Sequence, residues 1–523
     1  MQNKEEIFNE WDRYTYAEKL SEWSEKYSEN VALIEGDTIF TYKELREKVL
    51  ILSEYFHEKG LKCGDIVLLQ FPNSYIFVLT LLALFEVGVK AILTLPAHRE
   101  KDLIRLVMKT KAKAYMAEES YLDYDYVKLA AVVKENNDSI EYTIFSAEIE
   151  KVISKNNLKN IDYEKPLAKD IALFLLSGGT TGVPKLIPRT HGDYIYNGKM
   201  CASRCELMEE DKYLVLLPAA HNFPLNNPGI LGTFETGGTV VMCKYPSPME
   251  ILEIIEKYKI THTSLVPTLA IMCLQYMEWD TSFDTSSLKF VGIGGAALTS
   301  AIAKQIKEGF KCQLMQIFGT AEGLISTTSL RDSDEIVYET QGKPISEYDE
   351  IRIVNGEGEN VLCGAQGELI TRGPYTITGY YKAEDVNKIS FTADGFYRTG
   401  DMAVLSIDNN IKIIGRYKEQ INRAGEKIMP SEVEEYINDY PEVLDSVILG
   451  VPDELLGSSV CACVISRNAD GFSVHDLRSF MLKLGVADYK LPDRVVFFES
   501  FPLTAVNKVD KQKLLDEVLA RIS

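Results

Sequence analysis

Short apolar runs of strand length alternate with helical runs through most of this chain. That alternation restricts it to layered α/β architectures with parallel or mixed sheets. DIVLLQF (65–71), YLVLLP (213–218) and TVVMCKY (239–245) read as buried strands. The helix after the third opens at Ser247-Pro248, a capping serine with proline in the first turn, and Ile251, Leu252 and Ile255 share one face. THTSLVP (261–267) and LKFVGIGGAAL (288–298) repeat the strand-then-turn pattern. The apolar run Ile76 to Phe85 is too short to span a bilayer and ends at Glu86, so it reads as a buried helix.

One junction carries chemistry. The run IALFLL (Ile171 to Leu176) reads as a buried strand and feeds directly into SGGTTGVPK, that is Ser177, Gly178, Gly179, Thr180, Thr181, Gly182, Val183, Pro184 and Lys185. A loop of glycines and hydroxyl residues leaving a strand offers free N–H groups and hydroxyls to a polyphosphate, and a terminal lysine adds a point charge. It is not a Walker A loop, because Val183 and Pro184 separate Gly182 from Lys185.

Read with its surroundings, SGGTTGVPKLIPRTH resembles the phosphate loop of the acyl-adenylate-forming superfamily. That superfamily holds acyl-CoA synthetases, luciferases and the adenylation domains of nonribosomal peptide synthetases. Further blocks follow in the family's order: FGTAEG (318–323), GELITRG (367–373), YRTGD (397–401), GRYKEQINRAGEKI (415–428) and FPLTAVNKVDK (501–511). The resemblance spans essentially the whole chain. It implies a large N-terminal α/β domain of layered sheets, residues 1–417, and a small α+β C-terminal lid, residues 418–523, hinged at Lys418. Within the lid, Ser431-Glu432-Val433-Glu434 fits a capping box that opens a helix, and SVILGV and SVCACVI read as strands.

The resemblance also assigns roles. Joining a carboxylate to the α-phosphate of ATP needs in-line positioning and neutralised charge rather than a serine or cysteine nucleophile. Lys508 fills the slot of the lysine that reaches both groups, although Ala505 and Asn507 replace glycines common beside it. Glu322 holds Mg²⁺, Asp401 takes the ribose, and Arg416 the ribose or phosphate. Gly294, Gly295 and Ala296 line the adenine.

At HNFPLNNPG (221–229), amino-acid-activating relatives usually carry an aspartate that pairs with the α-ammonium group. This chain has the neutral Asn222, which argues for an acid without that amine. The segment resembles the stand-alone aryl-acid adenylating enzymes, which activate 2,3-dihydroxybenzoate or salicylate for siderophores. By that resemblance Asn222 bonds an ortho-hydroxyl, Ile325 packs on the ring and His221 lines the pocket without acid–base work. Asn227 stands where the known enzymes tend to have serine or cysteine, and Thr320 where they often have methionine. Asn227 either reads a 3-hydroxyl or marks a different ring, such as a hydroxylated heteroaryl acid.

Composition narrows the partners. The 56 basic and 77 acidic side chains leave a formal charge of −21, which argues against nucleic-acid and anionic-membrane partners. The nine cysteines are scattered without zinc spacing, and the polar start Met1 to Glu5 opens no signal peptide, so a reduced cytosol is expected. About fifteen residues follow Lys508, so the thiol acceptor is expected in trans: the phosphopantetheine arm of an aryl carrier protein, or coenzyme A. The alternatives are an aryl-CoA ligase and a non-catalytic homologue that binds an aryl acid or nucleotide.

Overall fold

The computed structural model describes residues 13–522 except 156, 160, 178–183, 417–418, 424–425, 454–455, 469–470, 505–507 and the Lys427 side chain. Gly178, Gly179, Thr180, Thr181, Gly182, Lys418, Ala505 and Asn507 therefore lie outside the described residues.

The apolar runs become two large mixed sheets. In the nine-stranded sheet, six neighbouring strands run parallel: Gln313–Gly319, Phe290–Gly294, His262–Leu265, Lys212–Val215, Thr239–Met242 and Val31–Glu35. Antiparallel strands close both edges. In the six-stranded sheet, Ile171–Leu176, Lys90–Leu93, Ile66–Gln70, Ala114–Ala117 and Tyr142–Phe145 are parallel, and Leu186–Thr190 pairs antiparallel at the edge. Continuous apolar composition suits these strands because helices cover both faces of a parallel sheet. The helix Tyr75–Val87 is almost wholly buried, with Ser74 as N-cap and Gly88 left-handed (φ 78°) as C-cap.

Two strands stop short of their apolar runs. Lys212–Val215 does not extend to Pro218, nor Thr239–Met242 to Tyr245. Asn73 is the reason. Its buried Nδ2 lies 3.1–3.5 Å from the carbonyls of Val215, Leu216, Leu217 and Cys243, and its Oδ1 accepts from the Ala219 N–H at 2.7 Å. One side-chain amide thus replaces the ladder where the two strands diverge.

A four-stranded antiparallel sheet (Glu350–Val354, Gln366–Arg372, Tyr397–Leu405, Ile411–Arg416) precedes the C-terminal part of the chain. That part is α+β. Val443–Asp453, Gly457–Ser466 and Arg494–Phe497 form a three-stranded sheet. Ile448 faces one core with Val433 and Ile437, while Val447 and Leu449 face another with Leu514 and Val518, the alternation a sheet covered on both faces requires.

The capping box expected at Ser431 is not what forms. The helix runs Pro430–Asn438 with Met429 at the N-cap and proline in its first turn. Ser431 gives its hydroxyl to the Ile414 carbonyl, and Glu434 accepts from the Ile448 N–H at 2.9 Å. Tertiary partners took both side chains that a local cap would have used.

Candidate active site

Ser177 and Lys185, which flank the glycine-rich segment, continue an antiparallel pair of strands at the edge of the six-stranded sheet. Leu176 pairs with Leu186, and below the loop the Ser177 N–H donates to the Lys185 carbonyl at 3.1 Å. The Lys185 N–H returns to Ser177 Oγ at 3.1 Å, so the base of the loop is closed. The Lys185 ammonium rests 4.7 Å from the ring centre of Tyr380. Tyr380 donates its hydroxyl to Glu322 Oε1 at 2.8 Å, which draws FGTAEG to the same place.

Asp401 and Arg416 face each other on neighbouring antiparallel strands. Arg416 Nε lies 2.9 Å from Asp401 Oδ1, and its Nη1 donates to the Thr399 carbonyl at 3.0 Å. Asp401 Oδ2 is buried with no partner among the described residues. Burial raises the Asp401 carboxyl to about 6, against the pull of Arg416. A buried, unpartnered acceptor calls for a donor.

Lys508 arrives from the C-terminal part, tied by its backbone to Thr504. Thr504 N–H donates to the Lys508 carbonyl at 2.6 Å, and Lys508 N–H to Thr504 Oγ1 at 3.2 Å. Its side chain runs over the turn after Phe290–Gly294. A Cβ at Gly295, where φ is +82°, would lie 2.9 Å from Lys508 Cε and 3.4 Å from Nζ. A side chain at position 295 is thus strained by its backbone conformation and would have to displace the end of the Lys508 side chain. Gly294 is buried, and Ala296 beyond the turn is exposed. Burial lowers the Lys508 pKa and Arg416 adds to this, while Asp401 opposes. His221 is pushed down to about 3, first by burial and then by Lys508, so its imidazole is neutral.

His221 caps the short helix Asn222–Asn226, its Nδ1 accepting from the Phe223 N–H at 3.3 Å. Asn222 Oδ1 accepts from the Tyr194 hydroxyl at 2.8 Å, which leaves its Nδ2 without an acceptor among the described residues. Asn227 Oδ1 accepts from Asn197 Nδ2 at 3.0 Å and lies 3.6 Å from Cys201 Sγ, and its Nδ2 donates to the Asn222 carbonyl at 3.3 Å. Ile325 is fully buried in the apolar cluster that also holds Phe223. Lys185 with Tyr380 and Glu322, the Asp401–Arg416 pair, Lys508 and the amides of Asn222 and Asn227 come from segments far apart in the sequence.

Residues 20–381 match the model of the AMP-binding enzyme family and residues 432–508 that of its C-terminal domain. The chain belongs to the AMP-binding enzyme family. It is 40% identical over 514 residues to the 2,3-dihydroxybenzoate-AMP ligase of Bacillus subtilis (98% of this chain, 95% of that one). It is 35% identical over 518 residues to the salicyl-AMP ligase / salicyl-S-ArCP synthetase of Mycobacterium tuberculosis (97% and 91%). Among solved structures, apo MbtA of Mycobacterium smegmatis superposes with a TM-score of 0.72 at 35% identity, covering 97% of this chain and 95% of that one. The AMP-binding enzyme described here is an ATP-dependent adenylating ligase.

Its site includes residues that sequence reasoning passed over. Arg189 is wholly buried and donates to Asp193 Oδ1 (2.8 Å), the Ala321 carbonyl (3.1 Å) and Asn197 Oδ1 (3.4 Å). This fixes Asn197 with its Nδ2 toward Asn227. The orientation of Asn227 is thereby set from both ends, by Asn197 on one side and the Asn222 carbonyl on the other. Tyr375 accepts from the Ile325 N–H at 3.3 Å and donates to Asp349 at 2.6 Å, anchoring the backbone behind Ile325. The one sequence signal for Arg189 was its place in KLIPRTH, and for Tyr375 its place in TRGPYTITGYYKAE (371–384), which resembles the aryl-acid adenylating enzymes; Asn197 carried none.

Proposed function

We propose that this ligase activates an aromatic carboxylic acid, 2,3-dihydroxybenzoate or salicylate, as its acyl-adenylate. It then passes the aryl group to the phosphopantetheine thiol of an aryl carrier protein in siderophore-type biosynthesis in the cytosol. Among the described residues no helix is long and apolar enough to cross a membrane. The observation that carries the reading is the pair Asn222 and Asn227, neutral amides with N–H groups to offer, the first standing where amino-acid-activating relatives usually carry an aspartate. Both relatives named above act on hydroxylated benzoates.

In the first step a carboxylate oxygen attacks the α-phosphorus and the bond to pyrophosphate breaks. Lys508 spans the two approaching anions, and no general base is needed, in keeping with a neutral His221. The phosphate loop with Ser177 and Lys185 holds the polyphosphate, the turn at Gly294 to Ala296 the adenine, and Asp401 with Arg416 the ribose. Among the described residues no cluster of three or more His, Cys, Asp or Glu side chains forms a metal cage. A single carboxylate, Glu322, suits Mg²⁺, which is commonly held by one or two carboxylates and the substrate's phosphates. When bound, the ion neutralises phosphate charge. In the second step the thiol attacks the acyl carbon and AMP leaves, and rotation of the lid about Lys418 withdraws Lys508.

The test is ATP–pyrophosphate exchange against hydroxybenzoates, benzoate and amino acids. Exchange with 2,3-dihydroxybenzoate or salicylate is expected. Exchange only with an amino acid or an aliphatic acid would defeat the aryl assignment. The ribose assignment gives a second expectation. Asp401 must be ionised to accept from both ribose hydroxyls, and its carboxyl titrates at about 6. Hence kcat/KM for ATP, which reports the free enzyme, should fall as pH drops through about 6, by ~10-fold per further unit. Asp401→Asn should be impaired throughout but lack that limb. A profile flat from pH 7 to pH 5 in the unmodified enzyme would remove Asp401 from the ribose.

A further inference from the structure

Tyr380 stands between two charged groups of this site and touches both. Its ring face carries the Lys185 ammonium at 4.7 Å, and its hydroxyl donates to Glu322 Oε1 at 2.8 Å. The residue is 4% exposed and its backbone is clamped. Tyr380 N–H donates to Asn387 Oδ1 at 2.8 Å, and Asn387 Nδ2 donates back to the Tyr380 carbonyl at 3.0 Å. Phe391 packs edge-on at 6.1 Å, and the Tyr397 hydroxyl lies 3.3 Å from that of Tyr380. A ring held at backbone, edge and hydroxyl cannot drift.

An ammonium and a carboxylate left facing each other in a partly dry site would pair, and that pair would have to break before phosphate and metal could enter. A tyrosine gives each ion a neutral partner instead. The ring's negative face holds the cation without a counter-charge. The hydroxyl occupies one carboxylate oxygen and leaves the other without a partner among the described residues. We propose that Tyr380 is a positioning residue: it keeps Lys185 and Glu322 apart and oriented, so that the lysine is released to polyphosphate and the free oxygen of Glu322 to the divalent ion. This rests on the roles given above to Lys185 and Glu322.

The test is equilibrium binding of ATP by titration calorimetry, with EDTA and then with Mg²⁺, in the unmodified protein, Tyr380→Phe and Tyr380→Leu. Tyr380→Phe keeps the ring and loses the hold on Glu322. It should bind metal-free ATP as the unmodified protein does, while the gain on adding Mg²⁺ shrinks about 10-fold. Tyr380→Leu should also lose metal-free affinity, by roughly 3- to 30-fold. If Tyr380→Phe matches the unmodified protein under both conditions, the hydroxyl does not position Glu322 and the proposal fails. It fails too if both variants lose metal-free and Mg²⁺-dependent affinity in equal proportion, the mark of packing alone. Absence of ATP binding to the unmodified protein would instead overturn the nucleotide site itself, and this proposal with it. Thermal melting of each variant separates lost binding from lost folding.

Discussion

Replacing Lys508 by alanine should lower acid-dependent ATP–pyrophosphate exchange by about 10²- to 10³-fold, the range for removing one preorganised group that stabilises developing charge. Thioester formation from a preformed aryl-adenylate should stay within a few-fold of the unmodified enzyme. The asymmetry follows from where charge builds up. Two anions meet only in adenylation, and the lysine at Gly295 stands beside Asp401 and Arg416, where those anions would lie. In thiol transfer the leaving group is AMP, and no second phosphate has to be neutralised. The lysine's environment adds a pH signature. Burial and Arg416 lower its pKa, so the ammonium is lost on the alkaline side earlier than in an exposed lysine, and adenylation declines with it. Lys508→Arg, which stays charged, should remove that alkaline limb even if its rate is low. Equal losses in both half-reactions for Lys508→Ala would show that the residue serves the fold or the thiol step instead.

Much of this architecture is legible in the amino-acid sequence, because the signals are local. Ile171–Leu176 and Phe290–Gly294 are continuous apolar strands whose burial on both faces leaves no alternation to misread. Ser247-Pro248 announces its helix because cap and first-turn proline act within one turn. The misreadings have a common physical origin. Ser431 and Glu434 have the spacing of a capping box, yet they are drawn to Ile414 and Ile448 across the fold. Val215 to Leu217 are apolar enough to prolong a strand, and one amide on a distant segment, Asn73, ends it. Within the site, the resemblance gives a role to each conspicuous residue but not to the ones behind them. Arg189, Asn197 and Tyr380 act by bridging segments that only the folded chain brings together, and no spacing rule registers such a bridge.

That bridging gives Asn227 a definite polarity, and from it a selectivity. Its oxygen is committed to Asn197 and lies beside the Cys201 thiol, and one of its two amide hydrogens goes to the Asn222 carbonyl. What remains is a single N–H donor in a residue only 4% exposed. An aryl acid with an oxygen at ring position 3 can satisfy it, whereas salicylate presents a C–H and leaves the donor unpaired. An unpaired buried donor costs about 1–3 kcal/mol, so kcat/KM should favour 2,3-dihydroxybenzoate over salicylate by roughly 5- to 150-fold. Asn227→Leu removes the donor at similar volume and should bring that ratio close to one, chiefly by improving salicylate. Asn227→Ser offers a smaller, rotatable hydroxyl and should retain part of the preference with lower discrimination. Since Asn197 loses its acceptor in the leucine variant, melting temperatures must accompany the kinetics; the ratio between two substrates on one folded protein is unaffected by a loss of stability. A ratio that is the same in all three proteins would place Asn227 outside the ring subsite, and the choice of acid would then rest with Asn222 and Ile325.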